Sequence, residues 1–511
     1  MDGQAYPSLK PDCAIMNGNG DGTNSDLACF ISTLKQRGIQ AEHANGDTLP
    51  LEAMMHDTGA VIPAAVVSPR SEWGVCQTIK LLQEFKLYDG FTISIKSGGH
   101  GYLHRDPSSH PVILLNLGAM TNQYISNGIL VLEPGCLLGR VMHTLATHHK
   151  AVPHGDCFDV GVGGHFTTAG WDLMLTRRYG LGCQSVIGGR VVLWDGSVVS
   201  VDEHSHPDLL YALRGGAAAG AGVVTEIRLR LIDEPKVTTW CNIRLNKEQV
   251  AVCVTSSLMD KTQNLPLDIS PSFKFYYELD DPEPVCAFRI ASLLTKEETI
   301  ASLREHLGDQ IVSWVADLSQ WNEKPLINYR LQVASEFLAT NFGMLAEASS
   351  IAMLKDPLAF WKPANAAHEM TRSFSVQTSS WVVPDCEAVL PKLYDAFESA
   401  KGHPVHNRMY ALVILGAGAM SELPERCSMP LGNVLIRFES HWDNEEEHGP
   451  WCRELTSKIS DIIQTKADLN VKRPFRGDIW LREQGVDAEL NGILETYDRR
   501  WPKPAILNRR S

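Results

Sequence analysis

From Val61 to about Asp233 the chain is written in short apolar runs separated by polar, glycine-bearing turns. Phe91-Thr-Ile-Ser-Ile95, Val112–Leu115, Ile129–Leu132, Val186–Leu193, Ser197–Val201 and Val224–Leu231 are brief and mostly rich in β-branched residues, which predicts strands rather than helical segments. Asp195-Gly196, between two of these runs, signals a hairpin. From Glu72 to Lys86 the apolar residues recur at helical spacing behind Ser71, so an amphipathic helix precedes the strand at Phe91. Another helix is predicted at about Ser25–Arg37, behind the polar stretch Asn17-Gly-Asn-Gly-Asp-Gly-Thr23, and residues 1–58 read as an N-terminal arm. Strands interleaved with helices make residues 59–235 an α+β domain.

After Pro235 the pattern changes. Predicted strands at Thr238–Leu245, Ser272–Leu279, Tyr410–Leu415 and Asn433–His441 are separated by helical stretches such as Lys296–Leu307 and Trp451–Thr465. Residues 236–470 therefore read as an antiparallel-sheet domain covered on one side by helices. Residues 471–511 form a C-terminal segment with a helix near Val486–Tyr497.

A chain of 511 residues exceeds one ordinary core, which agrees with two domains. Its net charge of -14, with no basic cluster, argues against nucleic acid or an anionic membrane surface and leaves a small molecule as the expected partner. The longest apolar runs, Gly59–Val67 and Tyr410–Met420, are too short to span a bilayer. The first residues lack a basic n-region and an apolar h-region, so a cytoplasmic or other intracellular location is expected. Twelve cysteines are scattered without a Cys-x-x-Cys pair and read mostly as buried thiols. The histidines His143, His148, His149 and His154 with Cys157 match no zinc spacing, so no metal is expected.

Candidate chemistry concentrates in Lys96-Ser-Gly-Gly-His100 and Cys157-Phe-Asp-Val-Gly-Val-Gly-Gly-His165. Each places a nucleophile beside glycines, whose backbone N–H groups can approach a pyrophosphate or a flat ring closely. The first leaves the end of a predicted strand, where α/β folds place ligands. Alone, the first is compatible with an ordinary turn and the second with an inert buried thiol.

Their order and flanks change that balance. Together with Ser68-Pro-Arg-Ser71, Arg178-Tyr-Gly-Leu181 and Asp208-Leu-Leu-Tyr-Ala-Leu-Arg-Gly-Gly216 leading to Gly222-Val-Val-Thr225, they make five ordered motifs. In these the chain resembles the berberine-bridge-enzyme-like flavoproteins, a branch of the vanillyl-alcohol-oxidase and p-cresol-methylhydroxylase (PCMH) fold family. The likeness is close over about residues 60–235 and loose elsewhere. It implies a two-part FAD-binding domain of the PCMH type, an antiparallel-sheet substrate domain, and a C-terminal segment that returns to the FAD domain. It also implies FAD attached twice, by an 8α-histidyl link at His100 and a 6-S-cysteinyl link at Cys157. A neutral imidazole and a thiolate have the lone pairs these bonds require.

On the same resemblance Ser97, Gly98, Gly99 and Gly101 would wrap the pyrophosphate, and Lys96 replaces the family's commoner arginine, keeping the charge but losing its fork. Gly161, Gly163 and Gly164 would let the second loop lie flat on the flavin. His165 would bond a flavin oxygen or cap the following helix, and Gly222 and Val224 complete the expected cofactor contacts. Val160 stands where a small side chain leaves room beside the flavin, so molecular oxygen is the expected electron acceptor.

Alternation along Asn433–His441 puts Arg437, Glu439 and His441 on one face, opposite Val434, Ile436 and Phe438. The family places a general base on this strand ahead of a tryptophan, here Trp442, with Arg437 at the base position. Glu439 is the candidate base and Arg437 a tuner of its pKa or a binder of an anionic substrate, with a solvated charged face as the alternative. Tyr276 and Tyr277 are candidates to line the cavity, one of them being core. The family's C-terminal Tyr-x-Asn is not recognisable, Asp468-Leu-Asn470 being its nearest remnant, which points away from the carbohydrate oxidases of the family. The expected activity is that of an FAD-linked, hydrogen-peroxide-forming oxidase that dehydrogenates or oxidatively cyclises a secondary-metabolite intermediate. A non-redox isomerase or cyclase, and a flavin-binding protein without turnover, are the alternatives.

Overall fold

The computed structural model describes residues 22–43, 63–99, 111–158, 160–255, 257–278, 281, 283–333, 375–383, 389–421, 427–429, 432–442, 444–464, 471–473 and 484–497. Strands β1 (Gln40–His43), β2 (Ala65–Ser68), β3 (Thr92–Lys96) and β4 (Val112–Asn116) form a sheet in the order β1-β2-β4-β3. β2 and β3 run parallel to β4, whereas β1 is an antiparallel edge. Every residue of β4 is buried, as in a central parallel strand covered on both faces. Helices Gly22–Gln36 and Glu72–Glu84 bring Phe30, Leu34, Val75 and Ile79 into the same core as Val67 and Leu115. The second helix starts at its sequence signal: Ser71 Oγ accepts the Gly74 N–H at 3.3 Å.

A second, antiparallel sheet follows. Its strands are β5 (Gln123–Ser126), β6 (Ile129–Leu132), β8 (Val186–Leu193), β9 (Val198–Val201) and β10 (Gly222–Arg230), in the order β5-β6-β10-β8-β9. The predicted Asp195-Gly196 turn joins β8 to β9, with Gly196 at φ +75°. A two-residue ribbon, β7 (Lys150–Ala151) with β11 (Ile232–Asp233), lies beside it. Val192, Trp194 and Val223 enter the core of the first sheet, so the two sheets share one interior.

The remaining strands are β12 (Thr239–Leu245), β13 (Ile269–Tyr277), β14 (Pro284–Ser292), β15 (Asn322–Glu323), β16 (Ser375–Val383), β17 (Met409–Leu415), β18 (Val434–Trp442) and β19 (Val471–Arg473). They make one antiparallel sheet in the order β15-β12-β14-β13-β17-β18-β16-β19. Phe273, Phe275, Phe288, Ile436 and Phe438 on one face pack under helices that include Lys296–Leu307, Val389–Ala400 and Glu445–Gln464. The opposite face, with Trp240, Tyr410, Leu412 and Leu435, packs on Leu173, Met174, Leu175 and Leu181 of the first domain. The sheet is thus a septum between its own helices and the first domain, and the α+β architecture agrees with the sequence reading.

The largest boundary difference is in a helix. The helix expected from Trp451 begins at Glu445, with Glu445, Glu446 and Glu447 in its first turn, where acidic side chains complement the helix dipole, and it carries Pro450 within it. The helix Gln484–Tyr497 packs Leu490, Ile493 and Leu494 against Leu209 and Leu213, and the Tyr497 hydroxyl donates to Asp208 Oδ1 at 2.7 Å. Among the described residues no helix is long and apolar enough to cross a membrane.

Candidate flavin and substrate site

β3 ends at Lys96 and releases Ser97-Gly98-Gly99 at its carboxyl end. Lys96 is buried, and its Nζ donates to Asn116 Oδ1 on the neighbouring β4 at 3.3 Å. The same oxygen accepts the Gly118 N–H at 3.1 Å, so lysine here braces the strand ends. Ser97 Oγ donates to the Pro134 carbonyl and accepts the Gly163 N–H at 3.3 Å. A Cβ on Gly161 would stand 2.7 Å from Gly98 Cα and closer still to the Gly98 nitrogen. Only glycine permits that approach. The two motifs, far apart in sequence, are therefore one floor. Gly99 has φ +86°, and the exposed Gly164 has nothing within 4 Å of a built Cβ. Close-set glycine backbone of this kind suits a dinucleotide. His100 and Gly101 lie outside the described residues.

Cys157 is half-buried, unlike most described cysteines. Burial pushes the thiols of Cys136, Cys253 and Cys452 up to about 12 and that of Cys241 to about 11, which makes them inert packing groups. The segment after Cys157 is pinned to the start of helix Leu138–Thr147: the Phe158 carbonyl accepts the Gly139 N–H at 2.8 Å and the Val160 carbonyl accepts the Leu138 N–H at 3.0 Å. Val160 packs, partly buried, against the core that contains Val162 and Leu138.

His165 sits inside helix Val162–Thr168, and its Nε2 accepts the Gly155 N–H at 3.1 Å. The described contact is a tether from the end of the loop to its beginning rather than a helix cap. Gly222 and Val224 lie in β10. A Cβ on Gly222 would stand 2.8 Å from the Val192 carbonyl carbon, so strand packing alone explains that glycine. Ahead of it Ala217, Ala218 and Ala219 all hold positive φ, between +48° and +56°, a strained run for non-glycine residues.

A buried ionic network under the Cys157 loop has no counterpart in the sequence reading. Arg330, on a helix over residues 326–333, donates through Nη1 to the His154 carbonyl at 3.0 Å and to Asp156 Oδ1 at 2.9 Å. Its Nη2 donates to Asp172 Oδ2 at 2.6 Å. Asp172 in turn accepts the backbone N–H groups of His154, Met174 and Leu175. Burial raises the Asp156 carboxyl to about 7 against the pull of Arg330, and it drives His154, with help from the Arg330 charge, well below the usual histidine range. Burial also opposes the charge of Arg330, but Asp172 and Asp156 outweigh it. Among the described residues no group of His, Cys, Asp or Glu side chains forms a metal site.

The septum face packs on the first domain around Trp171. Tyr276 pairs with Tyr410, which pairs with Glu439, and Lys274 pairs with Leu412, which pairs with Arg437. The predicted parity of β18 is observed: Val434, Ile436 and Phe438 enter the helix-covered core, while Arg437 and His441 both bond Glu439. His441 Nε2 donates to Glu439 Oε1 at 2.8 Å, and Arg437 Nη2 forms an ion pair with Oε2. Burial alone would raise the Glu439 carboxyl, yet Arg437 and His441 hold it well below the usual carboxylate range.

The Arg437 guanidinium lies 6.0 Å from the Trp171 ring and 5.9 Å from that of Tyr410, while Lys274 Nζ lies 5.0 Å from the Tyr276 ring and 5.6 Å from that of Tyr410. Trp171 belongs to the first domain, and its carbonyl comes within 3.7 Å of a Cβ built on Gly155, so the aromatic face adjoins the Cys157 loop. Tyr277 is the core member of its pair: it is buried on the other face and donates to the Phe397 carbonyl. Asp468, Leu469 and Asn470 lie outside the described residues.

Residues 63–202 match the family described as an FAD binding domain. The glucooligosaccharide oxidase of Sarocladium strictum is 32% identical over 214 residues, 41% of this chain and 42% of that protein. Berberine bridge enzyme-like 23 of Arabidopsis thaliana is 32% identical over 183 residues, 35% of this chain and 34% of that one. Each match spans less than half of the relative's length. Among solved structures, BBE-like 1 of Physcomitrella patens has a TM-score of 0.73 at 17% identity, covering 94% of this chain and 100% of that chain. BBE-like 28 of Arabidopsis thaliana has a TM-score of 0.74 at 16% identity, covering 93% and 97%. These likenesses extend the shared fold through the septum domain.

Proposed function

Because residues 63–202 match an FAD binding domain and the chain shares the fold of berberine-bridge-enzyme-like proteins, we propose that it is a berberine-bridge-enzyme-like, FAD-linked oxidase of a small molecule. The observation that carries this reading is the backbone contact of Gly161 with Gly98, which joins the loop after β3 to the loop that carries Cys157. FAD bound there would accept a hydride from an activated substrate carbon and pass the electrons to dioxygen, giving hydrogen peroxide.

The residues divide that work. Ser97, Gly98 and Gly99 offer backbone donors to the pyrophosphate, and Lys96 braces the strand end from which they leave. Cys157 and His100 would hold the ring by thioether and histidyl links. Trp171, Tyr276 and Tyr410 supply flat apolar surface, and Arg437 orients a polar or anionic group between two of those rings. Glu439 holds Arg437 and His441 in place and is the candidate proton acceptor. Such a face suits a flat, unsaturated secondary-metabolite intermediate.

The test is to denature the purified chain in acid, weigh it, and then add candidate substrates to native protein without oxygen. A retained yellow colour with the mass of one FAD, and bleaching by a substrate followed by return of colour in air, support the oxidase. Product formed without bleaching would reject it.

A further inference from the structure

Resting on the reading that Cys157 bonds FAD, we propose that Arg330 is the positioning residue for that bond, so that the septum domain sets the geometry of a covalent step carried out by the first domain. The donors of its guanidinium converge on the segment that ends at Cys157. One arm holds the His154 carbonyl and Asp156, the other Asp172, and Asp172 closes back on the His154 N–H. Arg330 and both aspartates are buried, so water does not compete for these bonds. Beyond Cys157 the chain is pinned again, through Phe158 and Val160, to the start of helix Leu138–Thr147. The cysteine is therefore clamped on both sides, and only the upstream clamp is ionic.

That clamp comes from outside the FAD-binding domain. The helix over residues 326–333 is tied to β12 by Trp240, whose Nε1 donates to Gln332 Oε1 at 3.0 Å and whose ring meets Tyr329 at 5.2 Å. Leu331 of the same helix packs into the core that also holds Phe158. Docking of the two domains thus delivers Arg330 to the loop. Without the guanidinium, Asp156 and Asp172 would be two buried carboxyls that have lost the cation bridging them, with Arg289 acting on Asp156 alone and at longer range, and the loop would lose its register.

The step itself is exacting. The Cys157 thiolate forms the S–C6 bond, the thiol and C6 hydrogens leave as protons, and two electrons pass through the ring to dioxygen, which departs as hydrogen peroxide. Attack needs the sulfur about 3–3.5 Å from the ring carbon, and a displacement of about 1 Å costs roughly a hundredfold in rate.

The experiment mixes full-length chain, produced in flavin-limited cells, with FAD in air and follows the flavin adducts on the Cys157 and His100 peptides by mass. In the wild type both adducts should form. In Arg330→Gln the cysteinyl adduct should form roughly a hundredfold more slowly while FAD binding and the histidyl adduct persist. Arg330→Lys, which keeps the buried charge but not the fork, should fall between the two. It also decides the matter if Arg330→Gln fails to fold. A wild-type rate of cysteinyl linkage in either variant overturns the proposal, and so does an equal loss of both adducts. A wild-type chain that binds FAD but never forms the cysteinyl adduct overturns the underlying reading instead, and with it this one.

Discussion

Gly161 meets Gly98 backbone to backbone, with no room for a Cβ between them. This one approach joins the loop after β3 to the loop that carries Cys157, and it makes the glycines of the two motifs unequal. Gly161 and Gly163 are buried and face protein, whereas Gly164 is exposed and faces open space. Gly161→Ala should separate the loops, at about 1–3 kcal/mol by the usual cost of overpacking, and lower both Tm and flavin content. Gly164→Ala should leave Tm unchanged. A fall in flavin content in that variant would place the cofactor directly above it.

If FAD is attached at both His100 and Cys157, the two links should be separable residue by residue. Cys157→Ala should leave one histidyl link and His100→Ala one cysteinyl link, each read from the mass and visible spectrum after acid denaturation. The double substitution should release FAD entirely on denaturation while still binding it natively through the glycine floor. Colour lost completely from denatured wild-type protein would end the covalent reading.

Val160 is held by its carbonyl on Leu138 and is only partly buried, so its side chain can be enlarged without breaking the loop. If it borders the path of oxygen, Val160→Leu should slow the return of colour in air far more than bleaching by substrate. Stopped-flow measurement of the two half-reactions separates this from packing, which would slow both equally.

Much of this site was readable in the chain because the signals were local. Ser71 announces its helix, Asp195-Gly196 its hairpin, and the alternation along β18 sorts Arg437, Glu439 and His441 from Val434, Ile436 and Phe438. Glycines were legible as a class but not in their individual tasks: Gly161 serves loop contact, whereas Gly222, expected at the cofactor, is required by Val192 on the adjacent strand. Arg330 was invisible because its partners lie 174 and 158 residues away and no periodicity links them. Trp171 was missed for the same reason, since its meeting with Arg437 exists only once the domains dock.

Glu439 makes the sharpest prediction. Its carboxylate is buried between Arg437 and His441, and they depress its pKa despite the burial. A carboxyl depressed in the folded state adds stability above its unfolded pKa, and that stability is lost only as the pH falls through the lower folded value. Glu439 should therefore stay ionised through the mildly acidic range, and the rate of flavin reduction should show no acidic limb near the ordinary carboxyl pKa from this group. Glu439→Gln removes the negative charge but not the shape. It leaves the partly buried Arg437 without its counter-ion, a change that costs up to about 3–5 kcal/mol where the pair is fully buried, so Tm should drop. If Glu439 also accepts the substrate proton, the rate of anaerobic flavin reduction should fall by about 10²–10⁴-fold with the covalent links intact. A lowered Tm with near-normal flavin reduction would reduce Glu439 to an anchor for Arg437 and His441. Tyr276 and His441, on the same face, would then be the next proton acceptors to replace.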